Sequence, residues 1–316
     1  MVWLEEMSMP IVTTNLPITS QRNEELIDQL IATYPIIRKE TLGNTAFGRP
    51  ISAMVIGSGP RKVLYTAAHH ANEWITAYIL LKFAEDLAAA LETGGRVYGV
   101  PAKNIAAAAT IHIVPLVDPD GVDLVTGAIA TGTLEYAIAA GLAENYPAIP
   151  FPDGWKANLL GVDLNLQYPA GWQTARQIKF SQGYTRPGPR DFVGRGPLTQ
   201  LESRALADYT RSVDPELVLA YHSQGKEIYW QFGGYEIPGA RALGEDFART
   251  SGYTLADVPE ESAYAGYKDW FIQSFRRPGY TIEVGEGSNP LPLSQFDEIY
   301  RDNLGILVAA ATDLPR

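Results

Sequence analysis

The amino-acid sequence predicts an α/β domain in which helices pack against a largely parallel central sheet. Short apolar runs typical of buried strands alternate along the chain with longer segments whose apolar residues recur at helical spacing. The 316 residues are 46% hydrophobic and only 19% charged, which excludes wholesale disorder and supplies enough apolar side chains for a large core. We therefore expect one large domain or two ordinary ones.

The amino-terminal third contains the first elements of this pattern. Apolar residues at helical spacing predict a helix over 23–34, and Pro35 ends it. Apolar runs at 51–56 and 63–67 flank the turn signal Gly-Ser-Gly-Pro and predict a pair of strands. A long helix over 73–91 follows.

The rest of the chain continues the alternation, apart from one irregular stretch. Further buried strands are expected at 110–117, 217–221, 227–232 and 280–284. Helices are expected near 134–145, 200–213, 239–251 and 294–312. The segment 147–198 is rich in proline, glycine and aromatic residues but has no clean period. Because a linker would hold fewer aromatic residues, we interpret this segment as ordered loops around a site.

Charge and hydropathy limit the classes of partner. The 25 basic against 36 acidic residues give a net charge of −11, which argues against a protein that binds nucleic acid through a general positive field. No stretch of about 18 apolar residues is present, so we expect no membrane span. The first 20 residues lack the pattern of a secretory signal, and we predict a cytoplasmic protein, with a spore- or wall-associated one as the alternative.

Histidine and carboxylate positions indicate a metal site. With no cysteine in the chain, any metal must be held by His, Asp or Glu. His70 lies three residues before Glu73 at the entry to a helix, where both side chains can converge, and His222 closes an apolar strand. Two imidazoles and one carboxylate with an open fourth position are typical of catalytic zinc. A His-x-x-Glu pair alone is more often a capping contact, and we interpret His69 and His112 as structural.

Glu283 is the candidate general base. It ends the apolar run 280–282, so a carboxylate stands in a strand that otherwise favours apolar side chains. A buried carboxylate is costly unless it has a partner, which favours a functional role. Such a group could accept a proton from the attacking water. A core glutamate satisfied by an arginine is the alternative.

These residues together resemble the zinc carboxypeptidase family, peptidase family M14, over roughly residues 20–312. The matching runs occur in family order: His70-Ala-Asn-Glu73, Val117-Asp-Pro-Asp-Gly121, Gly161-Val-Asp-Leu-Asn165, Thr199-Gln-Leu-Glu202, His222-Ser223, Asp269-Trp270 and Thr281-Ile-Glu283. The resemblance implies a single α/β/α domain with a mixed, mainly parallel eight-stranded central sheet. It also implies one zinc ion, Zn2+, held by His70, Glu73 and His222, with Glu283 as general base. The catalytic domain then spans 20–316, after an N-terminal extension over 1–19.

Two differences from the family's carboxypeptidases narrow the range of expected substrates. The family's carboxypeptidases bind the terminal carboxylate of the substrate with an Asn-Arg pair, but Leu166 follows Asn165 here, and leucine cannot form a bidentate fork. Gln224 stands where the digestive enzymes have tyrosine. With the run Trp155-Lys-Ala-Asn158, the chain resembles the bacterial branch that hydrolyses γ-D-glutamyl-diamino acid bonds. This implies cleavage between D-glutamate and meso-diaminopimelate in cell-wall peptides, during muropeptide degradation or recycling.

The resemblance also suggests roles for individual side chains. Lys156 matches the family arginine that stabilises the developing oxyanion, with Arg190 or Arg195 as alternatives. The substrate-binding candidates lie beside the third ligand, in the loop-rich segment or at the family's mobile tyrosine, and they are Asn165, Gln167, Arg190, Arg195, Gln224, Lys226 and Tyr264. Arg186 is a further candidate cation, and Tyr267 is the alternative to Tyr264.

Other functions remain open at this point. A zinc carboxypeptidase of other specificity is one, and an N-acyl amino acid amidohydrolase of the aspartoacylase or succinylglutamate desuccinylase type is another. The amidohydrolases carry a β-rich extension after the base, whereas only 33 residues of helical pattern follow Glu283 here. A catalytically silent peptide binder would have lost a ligand or the base, and none is lost. We expect a monomer or weak homo-oligomer whose partner is a small peptide.

Overall fold

A mixed eight-stranded sheet forms the centre of the protein, whose computed structural model describes residues 10–313. Its strands are β1 (Arg38–Asn44), β2 (Pro50–Ile56), β3 (Arg61–Ala67), β6 (Ala109–Val114), β7 (Leu217–His222), β8 (Glu227–Tyr229), β9 (Thr254–Ala256) and β10 (Gly279–Glu283). Two further short strands, β4 (Arg96–Val97) and β5 (Val100–Pro101), form a separate hairpin.

The sheet has the order β1-β2-β6-β3-β7-β10-β8-β9. Its four central strands, β6, β3, β7 and β10, run parallel to one another. Antiparallel pairing occurs between β1 and β2, β2 and β6, and β10 and β8, and the edge strand β9 is parallel to β8. The predicted mixed, mainly parallel sheet of eight strands is therefore confirmed.

Helices cover both faces of the sheet. They are α1 (Ser20–Thr33), α2 (Ile75–Thr93), α3 (Ala102–Ala108), α4 (Pro119–Val125), α5 (Leu134–Ala143), α6 (Trp172–Ser181), α7 (Leu201–Val213), α8 (Ala240–Ser251), α9 (Tyr267–Phe275) and α10 (Phe296–Thr312). Alternate residues of a central strand enter opposite layers. In β3, Val63 and Tyr65 join a core with α1, α2, α3, α8 and α10, while Leu64 joins one with α7 and α9. The result is the expected α/β/α arrangement.

The predicted pairing of the strands at 51–56 and 63–67 is wrong. Strand β6 lies between β2 and β3 and pairs with both. The connecting turn packs against the end of α3, just before β6, instead of closing a hairpin, since the backbone N–H groups of Ser58 and Gly59 both donate to Ala106 O. Gly57 adopts a φ of 88° there, and a side chain at this position would collide with Ala109 O.

The amino-terminal segment packs on the domain where the structure describes it. The Glu85 carboxylate of α2 accepts hydrogen bonds from Ile11 N at 2.6 Å and Val12 N at 3.3 Å, and Ile18 is fully buried. The domain boundary expected at residue 20 stays a prediction, and residues 1–9 of the expected extension lie outside the described residues. Among residues 10–313, no helix is both long and apolar enough to cross a membrane.

Candidate active site

Three ligand-type side chains converge at the carboxyl edge of the central strands. His70 follows β3 and immediately precedes a short 3-10 turn that ends at Glu73, and His222 is the last residue of β7. One ligand atom from each lies within 4.8 Å of the others. His222 Nδ1 is 2.9 Å from Glu73 Oε2 and 3.1 Å from His70 Nδ1, and all three side chains are buried. The parallel strands thus bring together ligands that are 149 residues apart in sequence.

The donor set fits zinc. The Nδ1 atoms of two imidazoles face each other beside one carboxylate, and no cysteine competes as a ligand. Without a metal, burial alone would raise the pKa of Glu73, but His70, Lys156 and His222 outweigh it and hold the pKa well below the ordinary value. Burial lowers the pKa of His222. At His70 burial also lowers the pKa, but the Glu73 and Asp163 carboxylates outweigh it and raise the pKa to about 9, so a bound metal would displace a proton from this ring.

Glu283 lies directly beside the third ligand. It ends β10, and its register partner in the parallel ladder is His222. Loss of solvation in the cleft and the nearby Glu73 carboxylate raise the pKa of Glu283 to about 8. A bound divalent cation would lower this pKa by electrostatic attraction. A carboxyl group so placed can exchange a proton near neutral pH.

Lys156 contacts the ligand set through Glu73. Its Nζ lies 3.1 Å from Glu73 Oε1. Burial lowers the pKa of the ammonium, but the attraction of Glu73 outweighs it, and the pKa is raised. The preceding Trp155 is fully buried, and the Lys156 backbone N–H donates to Pro189 O at 2.7 Å. Lys156 is therefore a fixed cation at the site.

Two cavities of about 520 and 590 Å3 meet at these residues. Lys156, Tyr184, Arg190, Tyr229 and Glu283 line both cavities. The first cavity also contacts Asn165, and the second also contacts Gln224. A substrate that spans both cavities would pass directly over Lys156 and Glu283.

The structure brings three of the seven substrate-binding candidates to these cavities: Asn165, Arg190 and Gln224. Their contact with substrate stays a prediction. Asn165 is fixed by accepting a hydrogen bond from Tyr267 N at 2.9 Å. Arg190 lies 2.6 Å from Asp191 Oδ2.

The structure does not place Gln167 at the site. Its amide nitrogen donates to Val193 O and Gly196 O, and its amide oxygen accepts from Thr199 N at 2.9 Å. The side chain is fully buried and already occupied on both ends, so it holds the loop in place and has no free group for a substrate.

The other candidates also lie outside the two cavities. Arg195 and Arg186 are exposed. The Lys226 ammonium pairs with Glu298 at 2.7 Å, and Lys226 lines neither cavity. Tyr264 packs edge-on against Phe232.

The remaining tyrosines and histidines near the site divide into buried residues and residues that line the cavities. Tyr267 is fully buried with its hydroxyl 2.9 Å from the Thr210 hydroxyl. Tyr184 and Tyr229 are the tyrosines that line both cavities. His69 packs against His222, with ring centroids 5.4 Å apart, and His112 Nδ1 lies 2.7 Å from the Tyr209 hydroxyl. Burial lowers the pKa of His112 to about 4, so it is neutral at physiological pH.

Sequence reasoning missed the role of Asp163. Its Oδ1 lies 3.2 Å from His70 Nε2, on the ring edge opposite the ligand nitrogen. Burial would raise the pKa of Asp163, but His70 and Lys156 lower it, so the group is a carboxylate. Such a contact orients a ligand imidazole and increases its basicity. The signal was present, because Asp163 stands in the recognised run Gly161-Val-Asp-Leu-Asn165.

A second set of charged side chains lies in the first cavity, and Asp269, in the recognised run Asp269-Trp270, is the member that had a sequence signal. Two buried ion pairs line its wall, Lys179 with Asp191 at 2.7 Å and Lys268 with Asp269 at 2.6 Å. The first pair comes from α6 and from the loop-rich segment, where no periodicity marked either residue.

Comparison with known sequences agrees with this geometry. The sequence model of the zinc carboxypeptidase family matches residues 23–305. Gamma-D-glutamyl-L-diamino acid endopeptidase 1 of Lysinibacillus sphaericus is 43% identical over 284 residues, covering 90% of this chain and 69% of that protein. The uncharacterized protein YqgT of Bacillus subtilis is 37% identical over 287 residues, covering 90% of this chain and 74% of that protein.

Solved structures share the fold at low sequence identity. Bovine thrombin-activatable fibrinolysis inhibitor has a TM-score of 0.70 at 16% identity and covers 94% of this chain and 97% of its own. The murein-tripeptide amidase MpaA of Escherichia coli O157 has a TM-score of 0.53 at 18% identity and covers 85% and 91%. With a family match over nearly the whole sequence and a ligand set suited to zinc, the chain belongs to the zinc carboxypeptidase family, a family of zinc-dependent hydrolases.

Proposed function

We propose that this protein hydrolyses the amide bond between the γ-carboxyl group of D-glutamate and the L-amino group of meso-diaminopimelate in bacterial cell-wall peptides. The 43% identity to the Lysinibacillus sphaericus endopeptidase, over 90% of the chain, carries this proposal. The site supports it, because the ligand set, the candidate base and the candidate oxyanion cation are all present in one cleft.

The residues of the chain divide the chemistry between them. Zinc, when bound by His70, Glu73 and His222, supplies Lewis-acid polarisation and lowers the pKa of water. Glu283 accepts a proton from the attacking water and passes it to the leaving amine. The Lys156 ammonium stabilises the negative charge that develops on the carbonyl oxygen. Asp163 holds the His70 ring in the orientation that the ligand nitrogen requires.

The shape of the cleft suits a substrate with residues on both sides of the bond. The two cavities share Lys156 and Glu283, and most of their other lining residues differ. Leu166 lines the first cavity and offers no charged group for a terminal carboxylate. A strict requirement for a free C-terminal carboxylate held at this position is therefore not supported.

The 43% identity to the Lysinibacillus sphaericus endopeptidase disfavours the amidohydrolase alternative. Between Glu283 and residue 313 the described chain forms a loop, a short 3-10 turn and α10, with no strand. The β-rich extension expected for that group is therefore absent from residues 284–313. A carboxypeptidase of other specificity remains the second candidate, and Asn165 on the cavity wall is the feature that favours it.

Defined substrates test the proposal. The purified zinc-loaded protein would be incubated with L-Ala-γ-D-Glu-meso-diaminopimelate, with the same peptide extended by D-Ala, and with N-acyl amino acids. We expect release of diaminopimelate or of its D-Ala derivative from the first two and no change in the third. Cleavage of N-acyl amino acids alone, or release of only the C-terminal D-Ala, would refute the proposed bond.

The partner and location proposals follow from this substrate. We propose that the protein acts in the cytoplasm on small released wall peptides, as a monomer or weak homo-oligomer, with a spore- or wall-associated site of action as the alternative. Fractionation with an antibody to the native protein would distinguish these locations.

A further inference from the structure

Lys179 and Asp191 form a buried ion pair, and burying charged groups costs desolvation free energy. Their side chains line the first cavity, Lys179 is 7% exposed and Asp191 8% exposed, and Lys179 Nζ lies 2.7 Å from Asp191 Oδ1. A buried ion pair contributes little net stability, since desolvation offsets the Coulombic attraction, and apolar residues would fill such a wall at least as well. The pair therefore calls for a functional explanation.

Asp191 ties this pair to the reaction centre. Its second carboxylate oxygen lies 2.6 Å from Arg190 Nε, and its backbone N–H donates to Asp163 Oδ2 at 3.3 Å. Asp163 in turn contacts the ligand His70. Asp191 adopts a φ of 63°, a left-handed conformation that costs energy for a residue with a side chain and that is common at functional sites. The pair thus has a fixed position relative to the ligands.

The charge of this group favours an anionic ligand. Lys179 and Arg190 share the single carboxylate of Asp191, so the three side chains carry one net positive charge. An ammonium has three N–H donors, and the ion pair with Asp191 leaves donors for a ligand in the cavity. A carboxylate is the group that such donors bind most strongly.

The two cavities differ in a way that tells which part of the substrate enters each. Apart from the residues that both cavities share, the second cavity presents mainly amide and hydroxyl groups, from Asn72, Ser223, Gln224, Ser288 and Asn289, together with the Asp153 carboxylate. The first presents charges of both signs, from the Lys179–Asp191 and Lys268–Asp269 pairs and from Glu261. A diamino dicarboxylic acid carries two carboxylates and an ammonium once its amide is formed, so its charges match the first cavity.

We propose that Lys179, held by Asp191, binds a carboxylate of the leaving diamino acid and is a specificity-determining residue of the enzyme. This inference rests on the proposed function, because it assigns a place to the leaving residue of that substrate. Leu166 lines the same cavity and has no donor, whereas the Lys179 ammonium has N–H groups that can bind a carboxylate.

Kinetics with modified substrates test the assignment on the wild-type protein alone. The substrates are L-Ala-γ-D-Glu-meso-diaminopimelate and two derivatives, each with one diaminopimelate carboxylate converted to a carboxamide. We expect one of the two derivatives to show a KM about 10- to 100-fold higher with kcat nearly unchanged, and that derivative identifies the carboxylate. Unchanged KM for both derivatives would overturn the inference.

The same substrates are then compared with the variant Lys179→Met. It removes the charge at similar length, while Arg190 still pairs with Asp191. We expect it to raise the KM of the parent peptide by a similar factor and to abolish the difference between parent and carboxamide, as coupled partners do. If the carboxamide penalty persists in Lys179→Met, the role of Lys179 is refuted. Lys82→Met, which removes a half-buried lysine paired with Asp86 at 2.7 Å outside both cavities, is the control.

Different results would refute the proposed function and the role of Lys179. If the wild-type protein leaves the parent peptide uncut while its zinc content is stoichiometric, the substrate assignment itself is wrong. If it cuts the parent and both carboxamides with equal KM, the function stands and only the role of Lys179 fails. Zinc content and circular dichroism of Lys179→Met show whether that variant is folded.

Discussion

Glu202 offers a sharp test of the electrostatics beneath the site. The side chain lies in the first turn of α7, is 1% exposed and accepts long hydrogen bonds of 3.4 Å from the Asn158 amide. Burial, together with the Asp120 carboxylate, raises its pKa from 4.5 to about 7. The variant Glu202→Gln keeps the shape of the side chain and removes its titrating carboxyl group.

The sign and size of the effect follow from this pKa. Because the folded protein holds the Glu202 proton more tightly than the unfolded chain does, wild-type stability falls as pH rises from about 4.5 to about 7. At 1.36 kcal/mol per pH unit, the loss amounts to roughly 3 kcal/mol. Glu202→Gln should not lose this stability, because glutamine does not titrate in this pH range. Burial and, after it, the Glu202 carboxylate raise the pKa of Asp118, so removing the Glu202 charge acts in the same direction.

Denaturant unfolding of both zinc-loaded proteins between pH 4.5 and 8.5 measures the difference. We expect the free energy of unfolding of Glu202→Gln, relative to wild type, to increase with pH by roughly 1 to 3 kcal/mol and to level off above pH 7. Exposed Glu92→Gln should show no such trend. A difference that is independent of pH would refute the burial argument for Glu202.

Three further variants test other assignments. Asp163→Asn should weaken zinc affinity about 10- to 100-fold in chelator competition, because the His70 ring loses its orienting carboxylate, and unchanged affinity would contradict that role. Gln167→Ala should lower the free energy of unfolding by about 1 to 3 kcal/mol in denaturant titrations but leave KM unchanged, whereas a raised KM in a stable variant would restore its place as a substrate residue. Lys156→Met should retain zinc and lower kcat by about 100- to 1,000-fold, and a steady-state kcat equal to that of wild type would exclude an oxyanion role.

The ligands could be predicted because strand ends are visible in the sequence. His222 and Glu283 close apolar runs, and parallel strands place their carboxyl ends on one edge, so their position on that edge follows from local pattern. That β7 and β10 are neighbours in the sheet is known only from the structure, whereas the sequence itself places His70 and Glu73 at the start of a helical segment. Most helices of the alternating pattern begin and end within a few residues of their expected bounds.

Non-local pairing is what the local pattern could not reveal. The Gly-Ser-Gly-Pro turn predicted a hairpin, but β6, which lies some 50 residues further along the chain, enters between the two strands. Strand β1 was not predicted because its residues are mostly exposed or half-buried and show no apolar run. A turn signal specifies a change of direction and not the partner of the strand that follows.

The polar wall of the cleft was only partly predictable for a related reason. A motif gives the position of Gln167 in sequence, but its hydrogen bonds to loop carbonyls, which decide its role, depend on where the loop folds. Lys179 and Asp191 come from a segment without periodicity, so nothing in the sequence distinguished them from surface residues. The burial of both is a tertiary property.

The central claim is that this cleft adds water across the γ-D-glutamyl amide with Glu283 as the base. Hydrolysis of L-Ala-γ-D-Glu-meso-diaminopimelate in 18O-labelled water, followed by mass spectrometry, tests it directly. We predict one 18O atom in the D-glutamyl γ-carboxyl group, none in diaminopimelate, and no product from zinc-loaded Glu283→Gln. Label in diaminopimelate, or turnover by Glu283→Gln at the wild-type rate, would contradict the claim.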